Sequence, residues 1–340
     1  MLSPGTRIAV TGASGHIGNN LVRELLRRGH RVRAVVHAPS ATPSLRGLDV
    51  EKVVADVRHP ETLRAAFRGI EVVFHLAARI SIDADRDGQV HAVNVYGARN
   101  AAREALRAGV RRYVHMSSIH AFDLTDDGGV LDESRRRPGP AQAAYDRSKA
   151  AGEESVRAVI AEGLDAVIVN PAGVIGPWDF EPSRMGRFFL DVARGRLPAV
   201  PRGGFQFVDA RDVVQATLAA AERGRTGANY LLAGPWRSSL DMARLAIRHV
   251  GGRAPVEVAP AVFHAAGRVL TLGARVIGRD PLLTPEMVRT LQSHRRVSSA
   301  RAEAELGFTP RPHDDSVRDI YAWFHDHGAL ARAPHAGVHS

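Results

Sequence analysis

The sequence predicts an α/β fold, a doubly wound parallel sheet carrying a smaller, mostly helical substrate lobe, and three observations predict it. Short β-branched runs alternate with longer segments of helical period through the first half of the chain. A glycine-rich turn, Thr11 to Gly18, stands at the first strand–helix junction. The 340 residues, 44% of them hydrophobic, suffice for one large globular unit or two smaller ones.

The elements follow in order. Arg7–Val10 reads as a strand, and the turn leads into a helix through Leu21, Leu25 and Leu26 that Gly29 stops. Val32–Val36 and Glu51–Val54 are the second and third strands, followed by a helix over Glu61–Phe67 and a strand over Glu71–Leu76. A helix from Val90 to Ala108 stops at Gly109, and Arg112–Met116 is the next strand. Tyr145–Glu162 is helical and Asp165–Asn170 a strand. Right-handed crossovers then make a doubly wound sheet the economical topology. Past Pro171, proline, glycine and aromatics crowd Gly176–Phe207, and Asp212–Glu222 is helix-like. From Pro235 onward the chain reads as mostly helical, with no new strand series. The expected division is a nucleotide-binding unit over 1–175 and about 205–234, a substrate lobe over 176–204 and 235–330, and a frayed tail over 331–340.

Composition excludes several function classes. Lys and Arg total 46 against 36 Asp and Glu, a net charge of +10, yet only Lys52 and Lys149 are lysines. The arginines are scattered, and Arg135–Arg137 is their longest run. A nucleic-acid or membrane surface clusters basic residues and interleaves aromatics, so the charge reads as an arginine habit and no polyanion partner is expected. With no cysteine, disulfides, zinc thiolates and thiol nucleophiles are excluded. Pro260–Gly278 is the most apolar late segment, and His264, Arg268 and Arg275 interrupt it, so no membrane span is expected. The first apolar run is short and ends in glycines, unlike a signal peptide, and the expected location is the cytoplasm. His325-Asp326-His327 reads as surface histidine, with no metal expected.

Two constellations carry chemistry. In Thr11-Gly12-Ala13-Ser14-Gly15-His16-Ile17-Gly18, three glycines let the backbone approach a pyrophosphate at a helix N-terminus. Tyr145 and Lys149 stand four apart on a helix, so both project from one face. A phenol titrates near 10, and a neighbouring ammonium favours the phenolate, so the pair predicts an acid/base tyrosine with a lowered pKa.

Together these motifs resemble the extended short-chain dehydrogenase/reductase family of NAD(P)-dependent epimerase/dehydratase type. Its markers recur in order: Gly-x-x-Gly-x-x-Gly after Thr11, Asp56-Val57, His75-Leu76-Ala77-Ala78, Asn94-Val95-Tyr96-Gly97 and Tyr113 to Ser118. Tyr-x-x-x-Lys at Tyr145, Asn170 to Pro177, and Phe207 to Val213 complete the series. The resemblance implies catalysis by Ser118, Tyr145 and Lys149, with Ser117 bonding backbone near the cofactor. It implies cofactor contacts from Thr11, Gly12, Ser14, Gly15, His16, Ile17, Gly18, Asp56, Val57, Leu76, Ala77, Ala78, Lys149, Pro171, Gly173 and Val174. Asn94 either fixes its helix or holds a water beside Lys149. Relatives often dimerise through the two helices over Val90–Ala108 and Tyr145–Glu162, so a homodimer is open.

The second strand ends in Val36-His37, with no acid to bond the ribose hydroxyls and repel a 2′-phosphate. His37 occupies the slot where NADPH-using members often carry arginine, and Arg33 and Arg46 are near in sequence. NADP is favoured over NAD.

Sugar-nucleotide members carry a diphosphate-gripping arginine where Phe205 aligns. Trp178, Met185 and Phe189, with Ile80, Ile119, His120 and Phe205, are the candidate substrate residues and suggest an apolar, ring-bearing ketone or alcohol. The nearest resemblance is to the dihydroflavonol-reductase-like and 3β-hydroxysteroid-dehydrogenase-like branch. Two alternatives stand beside it: an NAD-dependent sugar epimerase or dehydratase, and a redox-sensing binding protein, a class that typically lacks the Tyr-x-x-x-Lys pair intact here.

Overall fold

The computed structural model describes residues 2–37, 42–80, 85, 87–261, 290–293 and 296–330. Most of Pro260–Gly278, and the 331–340 tail, lie outside the described residues. The strands are β1 (Arg7–Thr11), β2 (Arg31–Val36), β3 (Glu51–Val54), β4 (Val72–His75), β5 (Arg112–Met116) and β6 (Ala166–Pro171). They continue as β7 (Gly173–Ile175), β8 (Ala199–Pro201), β9 (Gly204–Asp209), β10 (Asn229–Leu232), β11 (Trp236–Ser238) and β12 (Val256–Val258). Seven of them form one sheet in the order β10-β6-β5-β4-β1-β2-β3, and every pair in it is parallel.

The order reverses between β1 and β4, where the chain turns from building one side of the sheet to building the other. In doubly wound sheets the carboxyl ends of the strands at that crevice receive the ligand. Thr11 ends β1 and His75 ends β4, in register with each other, and His75 is in register with His115 on β5.

Helices cover both faces. On one, α1 (His16–Arg27) buries Leu21 and Leu25 with Val214 and Leu218 of the later helix Ala210–Arg223. On the other, α2 (Pro60–Phe67) packs Phe67 against Ala101 and Ala105. Those alanines belong to a continuous helix formed by α3 (Gln89–His91), a π-helical turn (Ala92–Gly97) and α4 (Ala98–Arg107). The next helix, α5 (Ala144–Ala161), carries Tyr145 and Lys149 beside it. The remaining helices are α6 (Arg184–Ala193), α7 (Ala210–Arg223), α8 (Ser239–Val250), α9 (Ala300–Leu306) and α10 (His313–Asp326). A third apolar cluster joins Phe189, Phe207, Met242, Val317 and Phe324. Burial of each such side chain is worth about 1.5–3 kcal/mol relative to exposure.

Three features differ from the sequence expectation. The seventh strand, β10, was not predicted: Asn229–Leu232 is only four residues long and buried throughout, so it shows no alternation to read. The region after Pro171 holds a three-stranded sheet β11-β9-β7 and a pair β12-β8 rather than helices alone; most of these strands are three residues long, too short for a periodic signal. The helix predicted over Val90–Ala108 contains a π-helical turn at Asn94, which no hydrophobic period announces.

Candidate active site

The glycine turn is shaped by contact. Gly12 has φ +66°, and a Cβ there would lie 2.8 Å from the Ala77 nitrogen at the end of β4. A Cβ on Gly18 would lie 2.0 Å from the Gly12 carbonyl oxygen, so the helix can sit on the turn only without a side chain. At Gly15 a Cβ would meet only the Gly12 oxygen, at 3.4 Å, and would project into open space. Gly15 also caps α1 without a side chain, and the first turn carries no acid. The first-turn N–H groups therefore face a cradle fitted to an anion. The residues present fit a dinucleotide: Gly12, Ser14, Gly15, Ile17 and Gly18 would hold its phosphates, with Leu76, Ala77 and Ala78 at the neighbouring strand end.

Thr11 locks that strand end. Its Oγ1 accepts the N–H groups of Leu76 and Ala77 at 3.1 and 3.2 Å and donates to Nδ1 of His75 at 2.8 Å. His75 stacks on His115 with ring centroids 5.6 Å apart. Burial first, and the Lys149 charge second, push His75 down to about 3 and His115 well below its ordinary value, so both rings are neutral.

Ser118 follows β5 and Tyr145 opens α5. The Ser118 hydroxyl is near enough to act on the Tyr145 phenol, and the Ser118 Oγ accepts the His120 N–H at 3.3 Å. Burial pushes the Tyr145 phenol up to about 12, opposed by the Ser118 hydroxyl; Asp146 adds to the rise and Arg184 opposes it. In the free protein Lys149, expected to lower the phenol, is not among the groups that shift it. Lys149 is 5% exposed, its Nζ donates to the Met116 carbonyl at 3.1 Å, and burial, opposed by Glu153, brings it down to about 8. Neutral in the free protein, the phenol is a proton donor.

A buried network backs this pair and was not legible in the sequence. Glu153, fully buried, accepts from Asn170 at 2.6 Å and from Asn229 at 2.9 Å and forms an ion pair with Arg137 at 2.8 Å. Asn170 also donates to the Ser118 carbonyl at 2.9 Å, which ties the helix bearing Lys149 to the strand end bearing Ser118. The i, i+4 spacing of Lys149 and Glu153 was the available signal.

Other predicted residues stand elsewhere. Arg33 is a correction: its Nε donates to Glu51 at 2.8 Å and its NH1 to the Ala66 and Arg68 carbonyls at 3.0 and 2.9 Å. Those groups sit at the sheet edge where Arg7, at the start of β1, bonds the Gly69 carbonyl, the end opposite the glycine turn. His37 is exposed, its Nδ1 3.8 Å from Asp56, whose carboxylate accepts from Arg58 and is held down to about 2. Val57 is buried against Gly97. His16 donates from Nε2 to the Pro177 carbonyl at 3.0 Å, leaving its backbone for a cofactor. The Asn94 amide is fully engaged, donating to the Arg79 carbonyl and Ser148 and accepting the Arg79 N–H, so it fixes structure. Ser117 Oγ is buried and has no partner among the described residues, contrary to the expected backbone bond. Pro171 ends β6, and Gly173 and Val174 lie in β7, paired with β9.

Among the expected substrate residues, His120 and Phe205 meet beside Tyr145, with His120 5.4 Å from the Tyr145 ring and 6.0 Å from that of Phe205. Met185 lines a small apolar cavity with Phe188, Phe207 and Met242. Ile119 and Phe189 are core residues at 1% and 0% exposure, and Ile80 is 69% exposed. Trp178 turns to α1: the Arg23 guanidinium lies 4.0 Å over its ring, and Phe180 and His327 complete its neighbours. It is the one non-glycine residue with positive φ, +67°, among the described residues. Among those residues no cluster of three or more His, Asp or Glu could hold a metal ion, and no helix is long and apolar enough to cross a membrane.

The chain is similar to known proteins over most of its length. The chain is 38% identical to the "Sterol demethylase protein B" of Methylococcus capsulatus, over 94% of this chain and 99% of that one. It is 29% identical to the 4-hydroxy-2-methyl-3-oxo-4-farnesyl-3,4-dihydroquinoline-1-oxide ketoreductase of Stigmatella aurantiaca, over 83% of this chain and 90% of that one. The crystal structure of gox2253 superposes with a TM-score of 0.82 at 34% identity, covering 96% of this chain and 100% of that one. The model of the NAD dependent epimerase/dehydratase family matches residues 8–233. With its parallel sheet, its glycine cradle and that match, the chain belongs to the NAD dependent epimerase/dehydratase family.

Proposed function

We propose that this protein is an NAD(P)-dependent oxidoreductase that interconverts a ketone and a secondary alcohol on an apolar, ring-bearing small molecule. The observation that carries the reading is that Ser118 and a protonated Tyr145 meet around His120, with Lys149 one helical turn on. The glycine cradle would hold the phosphates of a nicotinamide dinucleotide, which when bound would supply or accept a hydride. Ser118 orients the substrate oxygen, and Tyr145 donates its phenolic proton to that oxygen in reduction or removes it in oxidation. Lys149 would hold a ribose hydroxyl of the bound nucleotide and, as an ammonium, would stabilise the phenolate that proton donation leaves behind. Phe205 beside His120 gives the substrate an apolar wall, and relatives named for a sterol and for a quinoline ketone support a ring-bearing substrate.

NADPH is the favoured nucleotide, because no carboxylate ends β2 to repel a 2′-phosphate; with Arg33 turned away, His37 stands at that strand end, beside the Asp56–Arg58 pair. The sugar epimerase reading keeps support from the family's name, but Phe205 is apolar where that chemistry needs a diphosphate-binding cation.

Purified protein mixed with cyclic ketones should oxidise NADPH, and Tyr145→Phe should cost about 10²–10⁴ in rate. Full activity in that variant would remove the mechanism, and cofactor retained through purification with no net NADPH consumption would favour epimerisation.

A further inference from the structure

Each of the two catalytic hydroxyls has a neighbour in sequence that the mechanism above leaves idle. Asp146 follows Tyr145, His120 lies two residues after Ser118, and the fold brings the two together. Nδ1 of His120 is 2.7 Å from Oδ1 of Asp146, with side-chain exposures of 19% and 16%. An ionised carboxylate only accepts, so Nδ1–H donates and the carboxylate sets the tautomer and the ring direction. The ring is held on its other sides by Tyr145 and Phe205 and through its backbone N–H by Ser118. Nε2 takes no hydrogen bond from the described residues and is not among the buried unpartnered atoms, so it remains open to solvent or ligand. A histidine kept only for packing needs no carboxylate behind it.

We propose that His120, oriented by Asp146, is a second acid–base group that removes and returns a proton on the carbon next to the substrate carbonyl. The protein would then enolise its ketone as well as reduce it. The inference rests on the reading of Ser118 and Tyr145 as the groups that hold a ketone oxygen. In the step, the α C–H bond breaks and its electron pair forms a carbon–carbon double bond. The carbonyl π pair moves to oxygen, where the Ser118 and Tyr145 hydroxyls hydrogen-bond the enolate. The proton goes to Nε2, and Asp146 stabilises the resulting imidazolium. The imidazolium exchanges its proton with water, and reversal restores the ketone with solvent hydrogen at the α carbon. Nothing is oxidised or reduced. Burial, reinforced by Asp146 and opposed by Ser118 and Arg184, leaves Tyr145 a neutral donor, as an enolate oxygen requires.

The test uses the full chain. Ring ketones from cyclohexanone to 5α-cholestan-3-one are screened for NADPH and NADH oxidation, then incubated with the protein and NADP⁺ in D₂O, and deuterium at the α carbon is counted by mass spectrometry. Ketones that are reduced should also exchange faster than in buffer. His120→Gln and Asp146→Asn should each lower exchange at least about tenfold more than they lower reduction. Both rates come from one sample, so loss of folded protein cancels in their ratio. Reduction without exchange, or exchange that keeps pace with reduction in both variants, overturns the role of His120 and leaves the reductase reading intact. Exchange without reduction overturns the reductase reading alone, and absence of both overturns the two together.

Discussion

The hydroxyl of Thr11 donates to Nδ1 of His75 at 2.8 Å, and this bond decides where the imidazole carries its hydrogen. Because Thr11 Oγ1 already accepts two backbone N–H groups, its own hydrogen must point at Nδ1, leaving the ring proton on Nε2. Protonating Nδ1 would set two hydrogens against each other in a dry site beside His115, which is also neutral.

The fold should therefore be sensitive to acid. Both histidines have folded pKa values below the ordinary 6.5, so the unfolded chain binds protons first as pH falls. Stability present above pH 6.5 is lost below it, by about 1.4 kcal/mol per pH unit for each fully neutral ring. Thermal melts from pH 7 to 4 should fall less steeply for His115→Phe than for the parent. Equal slopes would mean that His115 charges without cost.

Lys149 has the opposite effect on alkaline stability. Its folded pKa of about 8 lies below the ordinary 10.5, so the penalty is full below pH 8 and disappears as pH rises to 10.5. Lys149→Met should raise stability at pH 7 by roughly 2–3 kcal/mol while abolishing most activity, and the gain should shrink by pH 10. A variant less stable than the parent at pH 7 would show that Glu153 depends on the ammonium.

The same titration should appear in kinetics. kcat/KM for the nicotinamide nucleotide reports the free protein, where the ammonium that would hold the ribose is lost above about pH 8. The profile should be level below that value and fall above it. A profile level to pH 10 would remove Lys149 from cofactor binding.

Glu153→Gln removes the charge that raises the Lys149 pKa. The break in the same profile should move below pH 8. Stability should fall by about 2–4 kcal/mol as the Arg137 pair and the Asn170 and Asn229 bonds weaken. An unmoved break would confine Glu153 to holding the strand ends.

Nucleotide choice separates His37 from Arg33. His37→Asp should lower the ratio of NADPH to NADH kcat/KM by at least about tenfold, through repulsion of the 2′-phosphate. Arg33→Gln should leave that ratio unchanged, because its partners are Glu51 and the Ala66 and Arg68 carbonyls. A change with Arg33→Gln would mean that the arginine swings to the cofactor.

Much of this was legible in the sequence because local chemistry wrote it. The Gly12–Gly18 turn announces itself through residues that alone tolerate the contacts there, and Tyr145 and Lys149 share a helix face by spacing. What was not legible depends on the third dimension. Arg33 is near His37 in sequence, but a long side chain can run back along its strand, and carbonyls at the far edge draw it there. The Tyr145 pKa depends on desolvation, which spacing on a helix does not encode. Glu153 meets Asn229 across 76 residues of chain, and β10 is too short to carry a pattern.

The Asn20 amide donates to the Pro177 carbonyl at 3.2 Å and that of Asn19 to the Trp178 carbonyl at 2.9 Å, while Trp178 itself is held at positive φ. The stretch leaving β7 is thereby pinned to the helix that begins at the glycine cradle. A substitution at Asn19 or Asn20 would be tallied by its sequence position as damage to nucleotide affinity. Its mechanical effect would include slackening of the route into α6, so the two asparagines belong as much to the Pro177–Phe180 stretch as to the helix that bears them. Swapping α1 for that of a relative, a natural choice for altering nucleotide preference, would disturb this anchorage unless both amides were retained.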